Sequence, residues 1–340
     1  MSAAPGPLLV MGAGSVGCFL GGALQAAGAE VHFVGRPRVL GALRAHGLTL
    51  TDLDGRRQKL TAERLRLHEA PPPALARDPR PVLALLCVKS GATAEAAAAL
   101  GAALPAGTLL LSMQNGVGNA ATAQAAAPGL TVLPGMVPFN IAELAPGHWH
   151  RGTAGQLAAQ DHPLLRAWQP AFAAAGLPLA LHADLRPLQW GKLLLNLNNP
   201  VNALSGLPLR AQLLDRGYRR VLAALQAEAL AVLRAAGVRP AKVGPVAPAL
   251  QPWVLRLPTP LFRRLAARTL RIDGEARSSM ADDLALGRPT EIDALCGAVV
   301  RLAEACGAAA PLNRRMLQLL SEPRPPRLTA AELWARLHRP

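Results

Sequence analysis

Lysine is almost missing from this sequence. It stands at Lys59, Lys89, Lys192 and Lys242, and the other 32 of the 36 cationic side chains are arginine. Acids are also scarce, 21 in 340 residues, which leaves a formal charge of +15 and an isoelectric point near 11.3. That balance invites a nucleic-acid partner. However, the arginines (Arg64, Arg77, Arg166, Arg234 and Arg327 among them) are scattered rather than gathered into a basic stripe interleaved with aromatics. The pattern reads as bulk replacement of Lys by Arg in a chain rich in Ala, Gly and Pro, so a nucleic-acid role is set aside, although a basic surface still favours anionic ligands. Aromatics make up 3% of residues, with one tyrosine, so Ala, Leu and Val must fill the cores. That suits a helical or α/β protein better than an aromatic-rich β-sandwich. The four cysteines (Cys18, Cys87, Cys296 and Cys306) form no C-x-x-C pair, which argues against a zinc or redox motif, and no metal is expected. Each lies in an apolar run, as a small hydrophobe does in a reducing, cytoplasmic setting.

Long uninterrupted apolar runs are lacking too. Residues 8–27 imitate a signal-peptide core, but no cation precedes them and they are rich in glycine. The stretch between Glu95 and Glu143 carries no charge, yet Gly101, Pro105, Gly107, Gln114 and Asn115 cut it into pieces far below the ~20 residues of a spanning helix. It reads as buried helix followed by buried strand in a soluble protein without a membrane partner. A length of 340 residues suggests two domains, and 51% hydrophobic composition with 17% charged residues excludes a disordered chain.

What is present alternates. Apolar runs at 8–11, 30–34, 82–88, 108–113 and 131–137 read as strands. Helical patterns at 15–27, 38–46 and 92–104 lie among them, and 48–51 with 58–61 flank Asp54-Gly55 as a hairpin. From about residue 183 the strand signals stop and helices follow at 185–205, 211–236, 259–270, 278–286, 291–307 and 311–321, with a last helical segment after a Pro-rich piece. The expected class is α/β: a Rossmann-type doubly wound parallel sheet over 1–183 and an all-helical domain over 184–340.

The first strand runs into Gly12-Ala13-Gly14-Ser15-Val16-Gly17, a G-x-G-x-x-G turn that opens a helix. In that context Gly12 permits the tight turn, Gly14 lets backbone approach a pyrophosphate, and Gly17 lets helix pack on strand, with the phosphates at the helix N-terminus. The end of the second strand holds Arg36 in Gly35-Arg36-Pro37 and no acid. A guanidinium suits a 2′-phosphate and an acid would read a 2′-hydroxyl, so NADP(H) is favoured over NAD(H). Lys89 ends the third strand of this reading, where such sheets bind ligands. Asn115, in Gln114-Asn115-Gly116, holds the matching place after the fourth; an ordinary Asn-Gly turn fits it equally well.

In the helical part, Lys192, Asn196 and Asn199 fall on one arc of a helix otherwise covered by Leu193, Leu194, Leu195 and Leu197. A cation and two amides among leucines call for polar partners, which a cleft holding a polar ligand supplies. A solvent-facing polar stripe is the alternative, though charges such as Glu would be expected on it. Downstream, Ser278 or Ser279 reads as an N-cap and Thr290-Glu291 as the start of another helix.

Taken in order, GAGSVG, Val-Lys89, Gln-Asn115-Gly, Lys192-x-x-x-Asn196, Ser279-Met and Thr-Glu291-Ile-Asp resemble the ketopantoate reductase (2-dehydropantoate 2-reductase) family over roughly residues 8–310. The resemblance implies NADPH-dependent reduction of a small 2-keto acid. Lys192 would be the general acid and Glu291 would stand at the cofactor side, positioning Lys192 or the substrate. Asn115 would lie beside the nicotinamide ribose and the substrate, with Lys89 and Arg36 near the adenosine phosphate. Asn196, Asn199 and Ser279 would bind the substrate's hydroxyl and carboxylate. The sequence departs from the family's pattern where Asn199-Pro200 arrives one residue early, and where Leu207-Pro208-Leu209 lacks a further Asn. Two other readings stay open: a reductase or dehydrogenase of another branched 2-keto or 2-hydroxy acid, and an NADP-binding sensor without turnover. A homodimer is compatible with either.

Overall fold

The computed structural model describes residues 5–267, 270, 276–322 and 325–338. The chain divides into two compact units, Met1–Leu185 and Arg186–Pro340.

The first unit is built on twelve strands: β1 (Leu8–Met11), β2 (Val31–Val34), β3 (Leu48–Asp52), β4 (Arg57–Leu60), β5 (Arg66–His68), β6 (Leu83–Leu86), β7 (Leu109–Ser112), β8 (Thr131–Met136), β9 (Ile141–Ala145), β10 (His148–Arg151), β11 (Leu157–Gln160) and β12 (Leu179–His182). Its helices are α1 (Ser15–Ala26), α2 (Pro37–His46), α3 (Thr93–Ala103), α4 (Asn119–Ala126), α5 (Pro163–Arg166) and α6 (Gln169–Ala174). Eight strands form one sheet in the order β12-β11-β8-β7-β6-β1-β2-β5. From β5 to β8 every pairing is parallel; β11 runs antiparallel to β8 and parallel to β12.

The apolar runs of β2, β6 and β7 are buried throughout, as strands covered on both faces must be. One face packs α1 residues Cys18, Leu20 and Leu24 with Trp149 and Phe172; the other packs Ala96, Ala97 and Leu100 of α3 with Ala123 of α4. Chain order proceeds outward from β1 to β2 and β5, then crosses back to β6 and proceeds the other way. That reversal, at β1 and β6, is the switch point beyond whose strand ends ligands bind in such sheets.

The expected strands and hairpin are all present, with five additions. β5 is a three-residue edge strand with two charge-bearing types and no apolar run, so the run at 83–86 is the fourth strand of the parallel series and not the third. β9 exposes most of its length and pairs with β10, which joins the β3–β4 hairpin to make a second sheet, β4-β3-β10-β9. β11 and β12 are four residues each and Ala- or Leu-rich, too short to show a period.

The second unit is helical: α7 (Arg186–Asn196), α8 (Asn198–Ser205), α9 (Leu209–Leu214), α10 (Arg216–Ala235), α11 (Gln251–Arg256), α12 (Thr259–Leu265), α13 (Ser279–Ala285), α14 (Ala298–Ala305), α15 (Pro311–Leu320) and α16 (Ala330–Leu337). At 20 residues, α10 is its central element, with Val221, Leu225, Ala229, Val232 and Leu233 buried. Arg219, fully buried on α10, donates to the carbonyls of Leu213, Leu214, Leu255 and Leu257, tying down the ends of α9 and α11.

Two expected single helices are broken here. The 185–205 helix stops at Asn196 and restarts at Asn198. Pro200 is the cause, since inside a continuous helix its ring would strike the Asn196 carbonyl, whereas in the first turn of α8 no N–H is needed from it. The 211–236 helix breaks at Asp215, whose carboxylate caps α10 by accepting from the Gly217 amide at 2.6 Å. Among the described residues no helix is long and apolar enough to cross a membrane.

Candidate active site

The glycine turn follows β1 and lies against the loop that leaves β6. Gly12 has φ +108°, and a Cβ there would stand 2.7 Å from the Val88 amide nitrogen. Both the left-handed backbone and the close approach to β6 therefore require glycine. A Cβ on Gly17 would collide with the Gly12 carbonyl and the Val10 side chain, so this glycine seats α1 on β1. Gly14 differs: a Cβ there would meet nothing within 4 Å. It is the N-cap of α1, contributes no side-chain cap, and has no acid in the turn that follows. Open space over Gly14 thus lies at a helix N-terminus, whose amides and dipole suit a pyrophosphate.

Gly35 presses on this loop, since its Cβ would come 2.6 Å from that of Ala13, while the amides of Gly12 and Ala13 both donate to the Val34 carbonyl. Arg36 follows as the exposed N-cap residue of α2. β1, β2 and the glycine turn accordingly fix where Arg36 begins.

Lys89 and Asn115 sit after β6 and β7, and a buried amide joins their loops. The Gln114 side-chain nitrogen donates to the Val88 carbonyl at 3.0 Å and to the Thr93 hydroxyl at 2.7 Å, while its oxygen accepts from Ser112 at 2.9 Å. Thr93 in turn donates to the Ser90 carbonyl at 2.8 Å, and Asn119 at the start of α4 donates to the Asn115 carbonyl at 2.7 Å. Each polar atom buried here has a partner, so the two loops are held as one piece. Sequence reasoning named Lys89 and Asn115 but passed over Gln114, Thr93 and Asn119. For Gln114 and Asn119 the available signal was amides inside a chargeless stretch.

In the second unit, α7 carries Lys192 on a partly buried position between buried Gly191 and Leu193. The segment at 241–244 lies along α7. The Ala241 amide donates to the Pro187 carbonyl at 2.7 Å, and Gly191 is packed so close to Ala241 and Val243 that no side chain fits. Burial pushes the Lys192 ammonium down from 10.5 to about 8, against an opposing pull from the Glu291 carboxylate. The structure thus brings Lys192 and Glu291, ninety-nine residues apart, into electrostatic contact.

Asn196 ends α7 and Asn199 lies in the first turn of α8, both partly buried. Ser278, not Ser279, is the N-cap of α13: its hydroxyl accepts from the Ala281 amide at 3.2 Å and lies 3.3 Å from the Asn199 carbonyl, to which it donates. Ser279 is the next residue and is exposed. Asn202, which sequence reasoning missed, accepts from the Ser278 amide and donates to the Leu207 carbonyl, both at 2.9 Å. It anchors the start of α13 to α8 and so fixes Ser279 near Asn199. All four cysteines are free, and among the described residues no group of His, Cys, Asp and Glu could hold a metal ion.

Two family models cover most of the chain: ketopantoate reductase PanE/ApbA matches residues 8–163, and its C-terminal model matches 184–324. The chain belongs to the ketopantoate reductase family. A curated relative, the 2-dehydropantoate 2-reductase of Halobacterium salinarum, is 31% identical over 320 residues, covering 92% of this chain and 97% of that protein. The crystal structure of a PanE/ApbA family ketopantoate reductase from Ralstonia eutropha JMP134 matches with a TM-score of 0.78 at 32% identity, over 94% of this chain and 98% of that one. A D-mandelate dehydrogenase, whose structure holds NADH and anilino(oxo)acetate, matches with a TM-score of 0.73 at 17% identity, over 94% and 98%, and shares the fold. As a ketopantoate reductase family member, this chain is an NAD(P)-dependent oxidoreductase of the 2-dehydropantoate 2-reductase type.

Proposed function

We propose that this protein reduces a 2-keto acid, 2-dehydropantoate first among the candidates, with NADPH as hydride donor and Lys192 as proton donor. The first unit holds the cofactor and the second holds the substrate. The observation that carries the reading is Lys192, a lysine brought to about 8 by burial and kept charged by Glu291. General acids work best with a pKa near the operating pH. The amides at the start of α1, above Gly14, take the pyrophosphate, Arg36 takes the 2′-phosphate, and Lys89 and Asn115 line the same strand ends.

A bound dinucleotide supplies hydride to the keto carbon. Lys192 donates a hydrogen bond to the keto oxygen and transfers its proton there as negative charge develops. Glu291 favours the protonated ammonium. Asn196, Asn199 and Ser279 hold the substrate's hydroxyl and carboxylate. The test is oxidation of NADPH followed by absorbance with ketopantoate and a panel of 2-keto acids; no turnover with any of them rejects the reading.

A second reading, reduction of a different 2-keto acid, is favoured by the break at Leu197, which moves Asn199 relative to Lys192, and by Leu207-Pro208-Leu209, a stretch without the further Asn of the family pattern. The same panel separates the two by rank of kcat/KM.

The cofactor choice has its own expected outcome. NADPH should bind more tightly than NADH, and Arg36→Ala should erode the preference by about 10- to 150-fold. That corresponds to roughly 1.5–3 kcal/mol for a charge-assisted phosphate contact. Titration of both cofactors against both proteins measures it, and equal affinity in the unmodified protein defeats the assignment.

A further inference from the structure

Glu291 does not lie on a regular helix. The chain passes from Glu291 through buried Ile292 into a π-helical turn, Asp293–Gly297, which runs straight into α14. A π turn holds one residue more than an α turn, so everything before it is rotated by about 100° relative to α14. The rotation decides where Glu291 points.

This turn is clamped from outside. Nη1 of Arg301 donates to Oδ1 of Asp293 at 2.7 Å, and Nη2 of the same guanidinium donates to the Asp293 main-chain carbonyl at 2.9 Å. The carboxylate can fold back because residue 297 is glycine: a Cβ there would stand 2.5 Å from Oδ1 of Asp293 and 3.2 Å from Nη1 of Arg301. One cation thus holds both a side chain and a carbonyl of the π turn. The Glu291 carbonyl accepts from the Ala294 amide at 3.0 Å, which couples Glu291 to the same turn. Both Arg301 and Asp293 side chains are more than half exposed, so the pair adds little to global stability, and its effect is directional.

We propose that Arg301, with Asp293 and Gly297, is a positioning clamp that holds the π turn in register and thereby aims the Glu291 carboxylate at Lys192. The proposal rests on Lys192 being the proton donor. Glu291 is a charge that acts on Lys192, and it opposes the effect of burial. When the clamp is removed, Glu291 moves off, burial is less opposed, and Lys192 loses its proton at a lower pH.

The test is the pH profile of kcat for keto-acid reduction in Arg301→Met, Gly297→Ala and Arg301→Lys. The first two should move the alkaline limb to lower pH by about one unit. Arg301→Lys, which can reach one acceptor but not both, should fall between them and the unmodified enzyme. The melting temperature of Arg301→Met should stay close to that of the unmodified protein. A limb that stays in place while kcat or melting temperature falls at every pH gives Arg301 a structural role alone and overturns the clamp. Failure of the underlying reading looks different: the unmodified enzyme then shows no limb near pH 8, or Lys192→Ala retains its rate, and the clamp falls with it.

Discussion

Lys192→Ala is expected to lower kcat for reduction by about 10²–10⁴-fold, the range that positioned acid–base groups contribute. NADPH affinity should hold nearly constant, because the residues proposed to take the phosphates belong to the first unit. Lys192 donates only while protonated, and its folded-state pKa lies at about 8 in place of 10.5. Reduction by the unmodified enzyme should therefore be level below pH 8 and fall about tenfold per unit well above it. Oxidation of the hydroxy acid requires the free amine and should rise through the same pH. In the alanine variant both limbs disappear. Steady-state kinetics from pH 6 to about pH 10 in both directions measures this. Near-normal turnover by the variant would remove Lys192 from the mechanism and leave Glu291 or a bound water as the proton source.

Gly14→Val is expected to abolish dinucleotide binding with the fold intact. Gly14 has φ −95°, a conformation open to any residue, and a Cβ there meets no protein atom within 4 Å. The branched side chain therefore costs the apo protein little, yet it occupies the space that a pyrophosphate needs over the amides of α1. Affinity for NADPH should fall by more than about 100-fold, near 2.7 kcal/mol. Gly17→Val makes the contrast. Its Cβ would run into the Gly12 carbonyl and Val10, so both binding and thermal stability should drop. Fluorescence titration paired with thermal melting by circular dichroism separates the two. A folded Gly14→Val protein that still binds NADPH normally would show that the phosphates lie elsewhere.

Much of this protein is legible before folding is considered. Runs such as LALL and LLLS read as strands buried on both faces, and the G-x-G-x-x-G turn after the chain's first strand, LLVM, reads as a phosphate cradle. Lys192, Asn196 and Asn199 are recognisable because a cation and amides are out of place among leucines. These are local signals: the period of a buried strand, the absence of a Cβ, the polarity of one residue against its neighbours. The same locality explains what escaped notice. Strand β5 is held by pairing with β2 and not by any apolar run of its own, and β9 is a mostly exposed edge. Gln114 matters because its amide bridges the loops after β6 and β7, and Asn202 because it holds the start of α13.

The sequence by itself determined the two architectures, the glycine cradle and the identity of the charged and amide residues, since each depends on contacts within a few positions. Tertiary structure alone decided the rest. It paired Lys192 with Glu291 and inserted the π turn that Arg301 clamps. Burial of an ammonium, approach of a distant carboxylate and capture of a turn by a guanidinium are long-range events. Their free energies depend on what the folded chain places nearby, and no window of sequence contains that information.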